Sequence, residues 1–353
     1  MINSIDLVTD LVYGDCCKKQ VSYSLSQRNK YTHTMRANGS QNSGGTVVYK
    51  DKAGNICKII LQMLPSGVLT NKKSIIGHGC VVNIHKLFNE IEKIKSLGFN
   101  VDNNIFIYKN AHCVTQSHIE EEEKESKIGT TKQGVGPAYR DKYARTGLRV
   151  IDVYDEYKAY FDTYGISLID PYEYLYESKE KMNILVEMAQ GFHLDIDSNN
   201  YPYVTSSHTT TAGALLNYLP HDKIEKIYGC CKVYDTYVGS NKFQPDDPIF
   251  NEIGDLGKEY GSVTGRRRQC NWLNIDALKK AVDINCVTNL VVSKLDVFQE
   301  LNKNHNNEYW NILSEKQNKV FSMKTETKFK SEISLLTPVS EFRNHVMTGI
   351  NSW

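Results

Sequence analysis

The sequence predicts an α/β fold: a mainly parallel central sheet with helices on both faces. Three observations carry this expectation. Short β-branched runs alternate with segments of helical period along most of the chain, the pattern of a parallel sheet covered on both sides. The stretch "IDLVTDLVYGDCCKK" passes from a strand through a glycine turn toward a helix. Near the far end, "WLNIDALKKAVDIN" and "NLVVSKLD" read as a helix, then a strand ending in a polar turn.

Taken in order, "IDLVTDLVY" (5–13) is the first strand, Gly14 the turn, and a helix starts at Lys18. "RANGSQNSGGT" (36–46) is too polar and glycine-rich for regular structure and leads into the strand "VVY". "KIILQMLPSG" (58–67) is a strand closed by a Pro-Ser-Gly turn. In "VVNIHKLFNEIEKIKSLGF", Ile84, Leu87, Phe88, Ile91 and Ile94 recur at helical spacing, and Gly98 is placed to end the helix. "NIFIYK" (104–109) is the next strand. The acidic run Glu120–Glu125, broken by Lys124, reads as the solvated face of a helix. The polar segment "NKNHNNEYWN" (302–311) reads as a loop. Ligands in such folds sit beyond the carboxyl ends of the strands, where segments 13–20, 36–46 and 293–296 fall.

Composition narrows the function classes. A net charge of +1 argues against a general nucleic-acid or membrane-surface binder, which would carry excess Lys and Arg. No apolar stretch approaches the ~20 residues a membrane span needs. The nine cysteines include no Cys-x-x-Cys spacing, and the adjacent pairs Cys16/Cys17 and Cys230/Cys231 suit zinc poorly. With no secretory signal visible in "MINSIDLVTD", the expectation is reduced thiols in the cytoplasm.

Two segments carry chemistry. "IGTTKQGVGPAYRDKYARTGLR" (128–149) offers the hydroxyls and N–H groups of Thr130 and Thr131 beside glycines, with Arg145 and Arg149 on a short helix after them. Alone, its Gly-Thr-Thr turn reads as an ordinary loop. "GSVTGRRRQ" (261–269) has three arginines after a Thr-Gly turn, and alternate guanidinium forks suit a small dianion. Alone, these arginines read as a solvated basic loop. "EMAQGFHLDIDSNNYPYVTSS" (187–207) adds Gln190 and Thr205.

In order, these segments together with "YVGSNKF", "SKLDV" and, more weakly, "DLVYGDCCKK" and "NSGGTVV" resemble the adenylosuccinate synthetase family over most of residues 4–300. The chain is shorter than the usual bacterial and eukaryotic members, mainly after Asp296. In this it is similar to archaeal members and to the phage synthetases that make 2-aminoadenine precursors. The resemblance implies a P-loop-NTPase-like adenylosuccinate synthetase fold and a single domain over 1–353, with loop-rich insertions and a shortened C-terminal region.

It also implies a ligase that joins L-aspartate to the 6-position of a 6-oxopurine monophosphate (IMP, or dGMP or GMP in a viral variant). A nucleoside triphosphate, GTP or else ATP or dATP, drives the reaction with Mg²⁺. A carboxylate takes the N1 proton, O6 attacks the γ-phosphate, and the aspartate amine displaces phosphate from the 6-phosphoryl intermediate. Matched position by position, Asp15 is the base and a metal ligand, and Lys18 and Gln190 share the catalytic centre. Gly14, Lys18, Gly44 and Thr46 line the triphosphate, and the Gly44 carbonyl also touches the metal. Asn42, Thr131, Gln190, Thr205, Val238, Gly239 and Arg266 hold the purine nucleotide. Arg145 reaches the nucleotide of a partner subunit, which implies a homodimer. Thr264, Arg266 and Arg268 bind aspartate, and Lys294 and Asp296 recognise guanine.

The chain departs from the family at three points. The family loop Gly-Asp-Glu-Gly-Lys-Gly-Lys reads "GDCCKKQ" here, with Cys17 and Lys19 for two glycines and Gln20 for the last lysine. A side chain at a left-handed loop position costs about 1–2 kcal/mol. Gly45 stands where the family has a histidine that stabilises phosphoryl transfer, a loss worth ~10²–10³ in rate, and neither His193 nor His208 is expected to replace it. Val263 stands where a threonine helps hold aspartate. The competing expectation is a nucleotide-binding pseudo-enzyme or regulator that keeps the purine and anion pockets.

Overall fold

The computed structural model describes residues 1–124, 128–262 and 265–305, together with the backbone of 332–335 and 348–349. Ten strands among these residues build one sheet. In chain order they are β1 (Ile2–Asp10), β2 (His33–Arg36), β3 (Lys73–Ile76), β4 (Ile105–Tyr108), β5 (Ser167–Ile169), β6 (Met182–Glu187), β7 (Ile224–Lys232), β8 (Asn289–Ser293), β9 (Glu332–Leu335) and β10 (Thr348–Gly349). Across the sheet the order is β10-β9-β8-β7-β1-β6-β2-β3-β4-β5, and every pairing is parallel except β9 with β10. The expected α/β fold is therefore present, with helices flanking a mainly parallel sheet.

The flanking helices are α1 (Lys18–Ser26), α2 (Ile84–Ser96), α3 (Gln116–Glu123), α4 (Val135–Ala144), α5 (Tyr154–Tyr164), α6 (Thr211–Leu215), α7 (Ile249–Leu256), α8 (Ile275–Ile284) and α9 (Leu295–Asn304). One apolar cluster joins β1, β6, β7 and β8 to α7, α8 and α9. A second joins β3 and β4 to α2, α5 and the antiparallel ribbon Gly45–Lys50 with Ile56–Leu61. α2 buries Ile84, Leu87, Phe88, Ile91 and Ile94, the face that its spacing predicts. The Asn83 side chain accepts from Lys86 N at its start, and Gly98 (φ +83°) follows its end.

Several boundaries differ from the sequence reading, each for a physical reason. β1 stops at Asp10 instead of residue 13, because the Asp10 carboxylate captures the next N–H groups and turns the chain. The acidic run is not wholly solvated: Glu122 of α3 is buried and accepts from Gly134 N (2.7 Å) and Gly136 N (3.4 Å) at the start of α4. Glu125 lies outside the described residues. Arg149 is not on α4, which ends at Ala144; it forks onto Asp152 instead. Trp272 closes a short strand, Gln269–Trp272, before α8. Asn302, Lys303 and Asn304 extend α9, so the polar segment begins as helix, and its remainder past His305 lies outside the described residues.

Candidate active site

The parallel strands put the ends of β1, β6, β2, β7 and β8 side by side, so the loops after them share one edge of the sheet. The loop after β1 is wound around Asp10, which is fully buried. Its Oδ1 accepts from Val12 N and Gly14 N, and its Oδ2 from Cys16 N, each at 3.0 Å. Lys18 Nζ donates to the same carboxylate at 3.1 Å. Burial alone would lower the Lys18 pKa; Asp10 overrides that and raises it. The winding leaves Asp15 (φ 61°) and Cys17 (φ 58°) in the left-handed region. Cys17 occupies the N-cap of α1 with no side-chain cap, and burial pushes its thiol up to about 11.

Asp15 and the arginine segment meet. Arg268 Nε donates to Asp15 Oδ2 at 2.7 Å, while Arg268 Nη1 donates to Glu259 Oε2 at 2.6 Å. Glu259 is fully buried and also accepts from Lys232 Nζ (2.9 Å) at the end of β7 and from the Tyr234 hydroxyl (2.6 Å). Burial would raise the Glu259 carboxyl, but Lys232 and then Arg268 outweigh it and hold it at about 2. Arg268 is thus aimed by a buried anion behind it. Arg267, between Arg266 and Arg268, turns to Asp255 and Asn251 O. The three arginines thus take three different directions, Arg268 to Asp15 and Glu259, Arg267 to Asp255, and Arg266 to the carbonyls of Gly129 and Thr130.

Gln190 (φ 54°) directs its amide to Asn42, with Nε2 3.4 Å from Oδ1. Asn38 orients it: Asn38 Oδ1 accepts from Ala189 N (2.7 Å), and Nδ2 donates to Ser207 Oγ (3.1 Å) and to Gln190 Oε1 (3.4 Å). Arg266 reaches across to the 128–131 loop, donating to Gly129 O (2.8 Å) and Thr130 O (2.9 Å) beside Thr131. Ser240 Oγ donates to Ile128 O, which seats that loop on the Val238–Gly239 turn. Thr205 is tied by its N–H to Leu194 O. Arg145 is exposed at the C-cap of α4 with a left-handed backbone (φ 65°).

Gly44 O accepts from Ser262 Oγ at 2.8 Å, so the 42–46 segment touches the same loop that carries Arg266 and Arg268. Thr46 is exposed on the outer ribbon. Thr264 and Val263 lie outside the described residues. Lys294 (φ 68°) caps Gly257 O at 2.6 Å and stands 3.9 Å from Glu259, and Asp296 lies half-buried in the first turn of α9. His193 packs on Tyr13 and Phe192, and His208 faces Asp195 and Asp197; the atoms nearest Gly45 belong to Lys19. Asp195, Asp197 and His208 bring their ligand atoms within 4.8 Å of one another, a group at the exit of β6 and distinct from the expected Asp15–Gly44 pair. Asp15 and Gly44 offer a carboxylate and a carbonyl against one loop, the hard oxygen donors that Mg²⁺ favours.

The family model for adenylosuccinate synthetase matches residues 7–164 and 152–332. The chain belongs to the adenylosuccinate synthetase family. It is 36% identical over 334 residues to the adenylosuccinate synthetase of Thermodesulfovibrio yellowstonii, covering 82% of this chain and 77% of that one. To the enzyme of Chlorobium phaeobacteroides it is 33% identical, with coverages of 85% and 79%. Among solved structures it is similar to fully ligated adenylosuccinate synthetase from Plasmodium falciparum, with TM-score 0.70, 28% identity and coverages of 84% and 77%. The succinoaminodeoxyadenylate synthetase of cyanophage S-2L, solved with dGMP and dATP as an energy donor, shares the fold at TM-score 0.69, 21% identity and coverages of 86% and 89%. The chain is thus a ligase-type enzyme whose family chemistry is nucleoside-triphosphate-dependent C–N bond formation on a purine nucleotide. No helix among the described residues is long and apolar enough to cross a membrane.

Sequence reasoning missed Asp10, Glu259, Asn38 and Ser262. Asp10 was hidden inside an apolar strand pattern, and its one signal was a carboxylate at the end of a buried strand. Glu259 and Asn38 act through other side chains, and no local pattern marks them.

Proposed function

We propose that the enzyme joins L-aspartate to the 6-position of a 6-oxopurine nucleoside monophosphate, IMP or its 2-amino relatives dGMP and GMP. GTP, or ATP or dATP, is hydrolysed through a 6-phosphoryl intermediate. The observation that carries this reading is the Arg268 bridge, which links a half-exposed carboxylate to an anchored guanidinium. A purine placed between Gln190 and Asp15 presents its N1–H to a carboxylate, and aspartate arriving at Arg266 and Arg268 presents its amine to C6. Asp15 removes the N1 proton, which makes O6 the nucleophile toward the γ-phosphate. Phosphorylation turns O6 into a leaving group, and the amine displaces it as phosphate. Arg268 holds a carboxylate of aspartate, and Arg266 fixes the nucleotide loop. Asp15 and Gly44 O would hold Mg²⁺, which offsets charge on the phosphoryl oxygens. Lys18, Gly14, Thr46, Lys294 and Asp296 complete the triphosphate side, and Asn42, Thr131, Thr205, Val238 and Gly239 the purine side. The exposed Arg145 serves a second copy in a cytoplasmic homodimer.

The test is a phosphate-release panel with Mg²⁺, L-aspartate, each of IMP, GMP and dGMP, and each of GTP, ATP and dATP. The expected result is release that requires both aspartate and the monophosphate. Release in no combination, with nucleotide binding still measurable by calorimetry, would replace this reading with the pseudo-enzyme, which Cys17 and Gly45 favour.

A further inference from the structure

We propose that Lys19 is a positioning residue and that Lys19 and Gly45 form an obligate pair. Gly45 is not glycine for its backbone: it opens the ribbon strand, pairs with Leu61 and lies outside the left-handed region. Space is what constrains it. A Cβ on Gly45 would sit 2.5 Å from Lys19 Cγ and 3.0 Å from Lys19 Cβ. These are the stem atoms next to the helix, and they cannot swing aside because the far end of the chain is tethered. Lys19 Nζ lies 2.6 Å from Glu187 Oε1 and donates to Leu64 O at 2.6 Å, and the residue is only 5% exposed.

The tether closes into a ring around the site. Glu187, at the end of β6, also accepts from Arg36 Nη1 (3.0 Å), Ser66 N (3.1 Å) and Ser66 Oγ (2.6 Å). Arg36 Nη2 in turn donates to Ser43 O (3.1 Å), next to Gly44 and Gly45. Lys19 therefore fixes the first turn of α1 to the 42–46 segment by its stem, and to the end of β6, three residues before Gln190, by its charge. The side chain at position 19 fills the space that glycine leaves at position 45.

A thermal unfolding cycle on the full chain tests the pair. Gly45→Ala should lower Tm by about 2–6 °C when Lys19 is present and clearly less in Lys19→Ala, where the 2.5 Å approach to Cγ is gone and only the 3.0 Å approach to Cβ remains. Equal effects of Gly45→Ala in both backgrounds would overturn the pairing. The positioning role is read separately, and this arm rests on the ligase reading. Lys19→Met keeps the stem and removes the ammonium; it should lower kcat about tenfold, leave the KM for aspartate within about twofold, and be partly rescued by Lys19→Arg. Unchanged kcat in Lys19→Met would overturn the role. If the wild-type enzyme releases no phosphate, the ligase reading fails while the unfolding cycle still decides the pair.

Discussion

Arg268 stands between Asp15 and Glu259, 2.7 Å from the first and 2.6 Å from the second. One guanidinium thus serves a half-exposed carboxylate and a buried one, and this divides what substitutions on either side do. Asp15→Asn removes the proposed proton acceptor while leaving Gln190 and Asn42, proposed to hold the purine, in place. Phosphate release should fall by about 10²–10⁴-fold. Monophosphate affinity, read by calorimetry, should stay within about tenfold.

Arg268→Leu removes the fork proposed to hold aspartate. A charged hydrogen bond of about 1.5–3 kcal/mol is lost there, so the KM for aspartate should rise roughly 10–100-fold in steady-state assays. The KM for the triphosphate should hold.

Glu259→Gln leaves Lys232 buried without its anion. Breaking such a pair costs about 3–5 kcal/mol, which denaturant titration would read. Because Glu259 also aims Arg268, the KM for aspartate should rise in the same variant, although residue 259 lies behind the pocket.

Cys17→Gly relieves a side chain from φ 58° at the N-cap of α1. A gain of about 1 kcal/mol is expected, seen as a higher Tm. A loss of stability instead would mean that Cys17 packing outweighs its backbone strain.

Acid stability follows from Glu187 and Glu259. Burial would raise both carboxyls, yet Lys19 with Arg36, and Lys232 with Arg268, hold them at about 2 against an ordinary 4.5. A depressed folded-state pKa adds stability that is complete above the unfolded value and is lost as pH falls through the folded one. Unfolding free energy should therefore decline steeply between about pH 4.5 and pH 2, and less steeply in a Glu187→Gln variant, despite its lower starting value.

The sheet was legible where period and length were unambiguous. β1 and α2 announced themselves, as did α8 followed by β8, because each repeats its apolar spacing over enough residues. β2, "HTMR", did not: four residues with a histidine and an arginine carry no strand signature, and this one is buried only because it lies between β6 and β3. Of the site, the Asp15 turn and the arginine segment were readable as motifs, and the resemblance implied that they converge, as Asp15 and Arg268 do. The anchoring carboxylates Asp10, Glu187 and Glu259 were not, since their partners are 8 to 168 positions away, brought close by the crossovers.

Both lysines of the loop after β1 are already neutralised by interior carboxylates, Lys18 by Asp10 and Lys19 by Glu187. A polyanion docking there meets little unbalanced positive field from these two ammonium groups. Its grip should accordingly be nearly indifferent to added sodium chloride, unlike that of sites whose attraction comes from exposed ammonium groups and fades as the Debye length shrinks.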